Sequence, residues 1–512
     1  MLTLIFKIKL SLVEGLRKLL NVSKGKLLFS DQFITIVVNY FSTFTFVIGS
    51  IFVSNTLGPH DFGLSVSLIV IPLSLGIYLH LGLFNGYFFE VASIKSKESK
   101  SLIIQKRNSA LVFLSIISFF VFCFFVFSAY YSDGDDLYAF SLLILSILVP
   151  LQLFKTFLLF DLRTHGMFKD QWKILLVMSF HPLLFSLGAY FYGIDGYWIS
   201  LTLSEILFYL YYFLIHSNKI HFKFRIVVSD IKNFIYLGFF IFISGSLFEL
   251  IFILDKIFIS NSLEVKEVAF YQVASFVFVA AMIIPKVVSQ FLITRIRNML
   301  SNNNSIGVNI SKTTFEYLLL SDYLLFIFIL IFSLIAPFLV QKFLPEYLSA
   351  VELINIFLLA SILLSPVINL GSAVSYIGKS VNLLFAYIVS LLFFLVSLNF
   401  LPLDLLIEFA YIKLLTIIII FIFIIFYFKF YFKFNFYFIF TYVITILFYS
   451  LIVYLFIVNR DYIIDTVFST FSSYGVFTTY LASILILFCF ILFISILPFV
   501  NTRLFNYCYK AS

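Results

Sequence analysis

The chain has 512 residues, 62% of them hydrophobic and only 11% charged, with 33 Lys and Arg against 25 Asp and Glu and a formal net charge of +8. An ordinary soluble chain is about 25% charged, so there is too little polar surface here to cover a water-soluble particle. A soluble enzyme, a disordered chain, a disulfide scaffold and a nucleic-acid-binding domain are excluded, and a mean hydropathy of +1.12 leaves a polytopic membrane protein.

Residues 1–31 form a basic cytoplasmic segment. Leu12, Leu16, Leu19 and Leu20 share one helical face beside Arg17 and Lys18, which reads either as an interfacial amphipathic helix or as a basic leader. Basic residues scattered through its apolar part, with no small-residue cleavage pattern, do not fit a cleavable signal. Apolar runs then recur at 33–56, 64–89, 109–130, 139–161, 174–192, 197–215, 236–260, 269–293, 317–341, 350–374, 381–400, 405–428, 437–458 and 478–499. Each is close to the ~20 residues of helix that cross a bilayer. They are apolar on every face, as from Ile417 to Tyr427, rather than alternating, so the expected fold is all-α with fourteen spans and not a barrel. Prolines at 72, 150, 182, 285 and 366 fall inside these runs as hinges or tolerated kinks. Cys123 and Cys489 lie in spans and Cys508 in the tail, which implies neither a disulfide framework nor a metal cluster.

Basic residues fix the expected orientation. With the N-terminus inside, the cytoplasmic segments hold 26 Lys and Arg and the outer ones only Lys266, Lys342 and Arg460. Both termini are expected in the cytoplasm. The outer segments are short, the longest being the nineteen residues from Asn459 to Phe477, and no G-x-x-x-x-G-K-[ST] pattern is present. Neither an ATP-hydrolysing domain nor a large catalytic outer loop is therefore expected, and a gradient-driven transporter fits better than an enzyme.

An internal repeat divides the chain. Ile51 to Leu57 (IFVSNTL) closes the first span and Ile257 to Leu263 (IFISNSL) the seventh, an offset of 206 that also relates Asp61 to Glu267. Six intervening spans give both copies the same orientation, the layout of a two-lobed carrier with its site between parallel repeats. The expected organisation is a first lobe over 32–216, a basic linker over 217–235, a second lobe over 236–430, and two trailing spans with a tail over 431–512.

Leu57-Gly58-Pro59-His60-Asp61-Phe62-Gly63 after the first span is similar to an L-G-P-x-x-[FY]-G signature of bacterial polysaccharide transporters. Leu81-Gly82-Leu83-Phe84-Asn85-Gly86 at the end of the second span, Gly193-Ile194-Asp195-Gly196 between the fifth and sixth, and Tyr376-Ile377-Gly378-Lys379 after the tenth add to it. In layout the whole chain resembles the Wzx-type O-antigen and capsular oligosaccharide flippases of the multidrug/oligosaccharidyl-lipid/polysaccharide (MOP) exporter superfamily. The resemblance implies two six-span lobes around a central cavity, two trailing spans, and movement of undecaprenyl-diphosphate-linked repeat units to the outer leaflet. It also implies work beside a polysaccharide polymerase and a chain-length regulator in O-antigen, lipopolysaccharide or capsule assembly.

Such a substrate joins a diphosphate and many hydroxyls to an apolar tail, so its carrier needs cations and polar groups within the membrane, where ionisable residues are costly and face a cavity or a partner. Lys256 and Lys286 are the expected diphosphate contacts. Glu249, seven residues before Lys256, or Asp255 would be the coupling carboxylate, and Gln290 lies one turn beyond Lys286. The same residues could instead form a Lys–Asp or Lys–Glu pair that only joins helices. Asn39, His80 and Asn85 are candidate cavity lining in the first half, although His80 also reads as a neutral core histidine. Glu205, near mid-span, is a candidate paired or protonated group, and Lys155 is close enough to the boundary to snorkel. Asp322, Glu408 and Lys413 lie nearer interfaces and read as structural. No cofactor is expected beyond a coupling H+ or Na+, and the protein is expected to be a monomer among membrane lipids with no nucleic-acid partner. Two other functions fit the layout: a multidrug or cation exporter of the same superfamily, which should have a net acidic cavity, and a membrane polysaccharide polymerase, which should have a catalytic outer loop.

Overall fold

A computed structural model describes residues 31–459 apart from 94–99, 133–135, 217–226, 302–305, 377–379, 402 and 433–435. The amphipathic segment over 1–30, the fourteenth run, Cys489, Cys508 and most of the Tyr376–Lys379 motif lie outside the described residues. In chain order the helices are α1 (Asp31–Tyr78), α2 (Leu83–Ser93), α3 (Lys100–Tyr130), α4 (Asp136–Thr164), α5 (Phe168–Met178), α6 (His181–His216), α7 (Val228–Ser262), α8 (Val265–Ser301), α9 (Ile306–Phe343), α10 (Ala350–Tyr376), α11 (Ser380–Phe400), α12 (Leu406–Phe432) and α13 (Phe436–Val458). No strand occurs among the described residues. Ten helical stretches are long and apolar enough to cross a membrane, and the protein is an all-α, multi-pass membrane protein.

The chain reverses at its turns between two faces. One, the basic face, carries the end of α2 and the starts of α3 and α7, with Lys106, Arg107 and Lys232; the opposite face carries the turns at 58, 193, 263–264 and 344–349. Helix α1 holds the first predicted span and the start of the second, joined across Gly58 at φ 75°, a left-handed conformation that glycine adopts without a Cβ penalty. Helix α6 likewise joins the fifth and sixth spans across Tyr192 and Gly193. Two expected spans are interrupted. The second is broken between Tyr78 and Leu83, where Leu81 (φ 46°) and Gly82 (φ 85°) leave helical geometry. The fifth is broken at Ser179 and Phe180, and Pro182 opens the next helix, a position where its missing N–H is unneeded. Pro150, Pro285 and Pro366 sit inside continuous helices.

The repeated heptapeptide occupies equivalent ground. Its first copy ends at the Gly58 turn, and its second ends where α7 stops at Leu263. Ser54 Oγ donates to the Ile51 carbonyl at 2.8 Å and Ser260 Oγ to the Ile257 carbonyl at 2.9 Å. Val53 and Ile259, matching positions, are both fully buried. Around the rim, side chains such as Phe119, Phe120, Phe124 and Phe127 of α3 are exposed, as a lipid-facing surface allows. The central contacts between halves are α8 against α1 and α2 against α7, and α8 also packs on α10 within its own half.

Candidate functional site

The polar residues inside the spans fall into separate groups, of which one lies on the seam between halves. Two tyrosines of α1 reach across it. Tyr40 OH donates to the Ile283 carbonyl of α8 at 3.4 Å, and Tyr78 OH to the Ser246 carbonyl of α7 at 3.2 Å. Lys286 and Glu249 stand three residues beyond those two acceptors, so they share the helical faces on which the tyrosines land. Both are exposed, as is Gln290 one turn past Lys286. Glu249 lies in the field of Lys286, and Tyr78 in the field of Glu249. Asn39, next to Tyr40, is half-buried. The seam therefore presents a cation, a carboxylate, an amide and two phenols from four expected spans.

Beside it lies the interruption of the second span. The Leu81–Gly86 motif was expected to end this span; instead it forms the break and the start of α2. His80 Nδ1 accepts from the Gly82 N–H at 3.2 Å, and its ring stacks on Phe84 at 4.2 Å and meets Phe242 edge-on at 5.0 Å. The backbone of α7 comes so close that a Cβ on Gly82 would lie 2.8 Å from the Gly238 carbonyl carbon, and one on Gly86 would lie 1.8 Å from the Phe234 carbonyl oxygen. Asn85 is half-buried between them.

A second group is closed. Asp255, 0% exposed, accepts from Lys413 Nζ of α12 at 2.5 Å and from Tyr271 OH of α8 at 2.7 Å. Lys413 Nζ also lies 5.0 to 5.6 Å from the ring centres of Phe252, Phe357, Tyr271 and Phe278, a cage that suits a desolvated ammonium. The structural reading of Lys413 agrees with this pair: it is buried in the protein core. Lys256, half-buried, lies in the fields of Asp255 and Lys413, and its backbone N–H donates to Asp255 Oδ1 at 2.8 Å. Its partner for ion pairing is thus taken by another helix, and the structure does not bring Lys256 together with Lys286. In the first half Glu205 accepts from Lys155 Nζ at 2.5 Å. Lys155 is tied to a neighbouring helix and does not snorkel.

Two further clusters had no place in the sequence expectations. At the basic face Lys106 of α3 bridges Glu90 of α2 at 2.9 Å and Asp230 of α7 at 3.4 Å; Asn233 also reaches Glu90, and Gln105 reaches Asp230. That cluster ties the halves together across the mouth of the seam. On the opposite face Tyr347 OH donates to the Ser54 carbonyl at 2.8 Å. Separately, Asp322 of α9, expected near an interface, is 4% exposed and lies in a nest of hydroxyls. Glu408 is structural as its position suggested: its Oε2 accepts from the Asp404 and Leu405 backbone N–H groups, both at 3.0 Å, at the start of α12.

No family model and no curated protein matches the chain. Solved structures do. The inward closed conformation of the lipid II flippase MurJ is similar over 84% of this chain and 98% of its own length, with a TM-score of 0.60 at 14% identity. An inward-facing multidrug resistance MATE family transporter of the MOP superfamily is similar over 76% of this chain and 94% of its own, with TM-score 0.59 and 12% identity. A MOP superfamily transporter from Pyrococcus furiosus is similar over 80% and 98%, with TM-score 0.55 and 12% identity. The chain shares its fold with these three structures.

Proposed function

We propose that the chain is a flippase that carries undecaprenyl-diphosphate-linked oligosaccharide repeat units from the cytoplasmic to the outer leaflet by alternating access between its halves. The observation that carries this reading is the exposed Lys286, three residues beyond the α8 carbonyl that Tyr40 of the other half reaches and in the field of Glu249. An anionic headgroup needs a cation at membrane depth that no protein carboxylate has already claimed, and hydroxyl or aromatic groups for its sugars. Lys286 is the first diphosphate contact, Tyr40, Tyr78, Asn39 and Gln290 line the sugar path, and Glu249 restrains Lys286 when the seam is empty. Lys256 and the Asp255–Lys413 pair sit further along α7 and hold the second half in shape; His80 and Asn85 serve the hinge of the broken span. Two six-span lobes with spans 13 and 14 trailing, cytoplasmic termini in a bacterial inner membrane, an H+ or Na+ gradient as driver, and a monomer working beside a polymerase and a chain-length regulator complete the proposal. The likeness to a lipid II flippase supports the lipid-linked class through fold.

The test is flipping of a fluorescent polyprenyl-diphosphate oligosaccharide in proteoliposomes, read by a membrane-impermeant quencher. Lys286→Ala is expected to lower the rate at least tenfold and Lys286→Arg to retain most of it. Equal rates for Lys286→Ala and wild type would remove the assignment. If Glu249→Gln alone abolished uptake of a lipophilic cation by the same vesicles, the cation-exporter reading would replace it.

A further inference from the structure

The hydroxyl nest around Asp322 lies away from the seam, among α9, α10 and α13. Ser365 Oγ donates to Asp322 Oδ1 at 2.7 Å, and Tyr442 OH donates to Oδ2 at 2.6 Å. Ser321 and Ser365 share a hydrogen bond at 3.0 Å, and Asn369 Nδ2 donates to Ser321 Oγ at 2.9 Å and to the Ser365 carbonyl at 3.0 Å. Every donor in the chain runs one way: amide to Ser321, Ser321 to Ser365, Ser365 to the carboxylate. Ser321, Ser365 and Asn369 are 0% exposed and Tyr442 is 4% exposed, so the nest is closed to bulk solvent.

Asp322 differs from the other carboxylates buried within the spans in one respect. Asp255 has Lys413, Glu205 has Lys155, and Asp161 has His165 at 3.1 Å. Facing Asp322 are Ser365 from α10 and Tyr442 and Tyr449 from α13, with no cation among the described residues that act on it; Lys413 on the neighbouring α12 is held by Asp255. The second observation is Asn369 Oδ1, which is buried and accepts no hydrogen bond, although the amide's other end is fixed in the cluster. The nest therefore has one negative charge without a counter-ion and one acceptor without a donor. An unpaired carboxylate in a dry, low-dielectric interior is unfavourable, and the smallest change that removes the charge is one proton.

We infer that Asp322, with Ser365, Ser321, Asn369 and Tyr442, is a proton-binding site that takes up and releases one H+ and thereby sets how α13 is held against α9 and α10. With the carboxylate charged, Tyr442 is bound as a donor and α13 is anchored. With the proton on Oδ1, the carboxyl O–H donates to Ser365 Oγ, Ser365 turns its own hydrogen towards Ser321, Ser321 turns its hydrogen away to a carbonyl one helical turn back, and the hold on Tyr442 weakens to a neutral hydrogen bond, which is about half as strong as a charge-assisted one. One O–H bond forms on the carboxylate, none breaks in the protein, and the hydroxyls only rotate.

The test is infrared difference spectroscopy of the full-length protein in nanodiscs across a pH titration, which reads the carbonyl stretch of a protonated carboxyl. Wild type is expected to show a titrating carboxyl band that Asp322→Asn lacks. Tyr442→Phe, which keeps Asp322 and removes a donor that favours the charged form, is expected to move that band's midpoint to higher pH by about one unit, a tenfold rise in proton affinity. A band unchanged in Asp322→Asn would overturn the assignment, and so would a midpoint unmoved in Tyr442→Phe, which covers the case of an Asp322→Asn chain that fails to fold. Loss of the band on adding sodium at constant pH, against a choline control, would make the site a metal-cation site and likewise overturn it. None of these readouts depends on what the seam carries.

Discussion

Helices α7 and α8 carry acid and base groups at two levels, and the two behave oppositely. At one level Asp255 and Lys413 are 0% and 3% exposed in their side chains and in contact at 2.5 Å, with Tyr271 and three further rings completing the shell. At the other, Glu249 and Lys286 are exposed and interact only through space. A buried pair satisfied on every side is a fixed part of the fold, because breaking it leaves a charge with nowhere to go. An exposed, loosely coupled pair on a seam can exchange its partner for a ligand without disturbing the packing. Position in the membrane does not distinguish the two; contact does.

The sharpest way to break this comparison is to remove one cation from each level. Lys413→Ala leaves Asp255 unpaired and is expected to destabilise the second half by about 3–5 kcal/mol. Lys286→Ala is expected to leave stability within about 0.5 kcal/mol, as for a substitution outside the packed core. Thermal unfolding of the two purified variants in one detergent reads both effects, and similar losses for both would erase the distinction. The double variant Asp255→Asn with Lys413→Met should recover most of the loss, since it removes both charges together.

A smaller effect tests whether the seam depends on backbone contact at the broken span. Gly86 faces the Phe234 carbonyl so closely that an added methyl has no room. Gly86→Ala is expected to push α2 from α7 and to cost about 1–3 kcal/mol by overpacking. The same shift would stretch the Lys106 bridge between Glu90 and Asp230, so a cysteine placed at position 233 is expected to react faster with a water-soluble maleimide in Gly86→Ala than in the parent. Equal labelling would show that the ion cluster alone closes the basic face.

How much of this was legible before the structure follows from what each residue reports. Fold class came from runs of apolar residues, because burial in lipid is a property each stretch carries by itself. The repeat was visible for the same reason, and its two serines do make the same hydrogen bond. Pairing was not visible. Lys413 and Asp322 sit near the ends of their apolar runs, and distance from a run's end was taken as depth; yet Lys413 meets a residue 158 positions away, and Asp322 one 120 away. The break at Leu81 and Gly82 was hidden because both residues are ordinary in an apolar run, and only the close approach of α7 makes the glycines necessary. Lys106 looked like one more basic loop residue, whereas the signal that could have singled it out was Glu90 at the edge of its own basic segment and Asp230 within the next.

The smallest expected effect concerns the opposite face. Tyr347 is 1% exposed, its ring meets Phe270 edge-on at 5.7 Å, and its hydroxyl reaches the Ser54 carbonyl inside the first copy of the repeat. Since Ser54 Oγ is already satisfied by Ile51, the phenol is the link that crosses from the second half to the first at this point. Tyr347→Phe keeps the ring and removes one hydrogen bond, so it is expected to lower stability by about 1 kcal/mol. If the bond closes this face, the same variant should also raise labelling of a cysteine at position 57 by an impermeant reagent, while labelling at position 233 on the basic face stays as it was. A change at both faces would mean that the two closures are one rigid unit and that the halves do not rock about the seam.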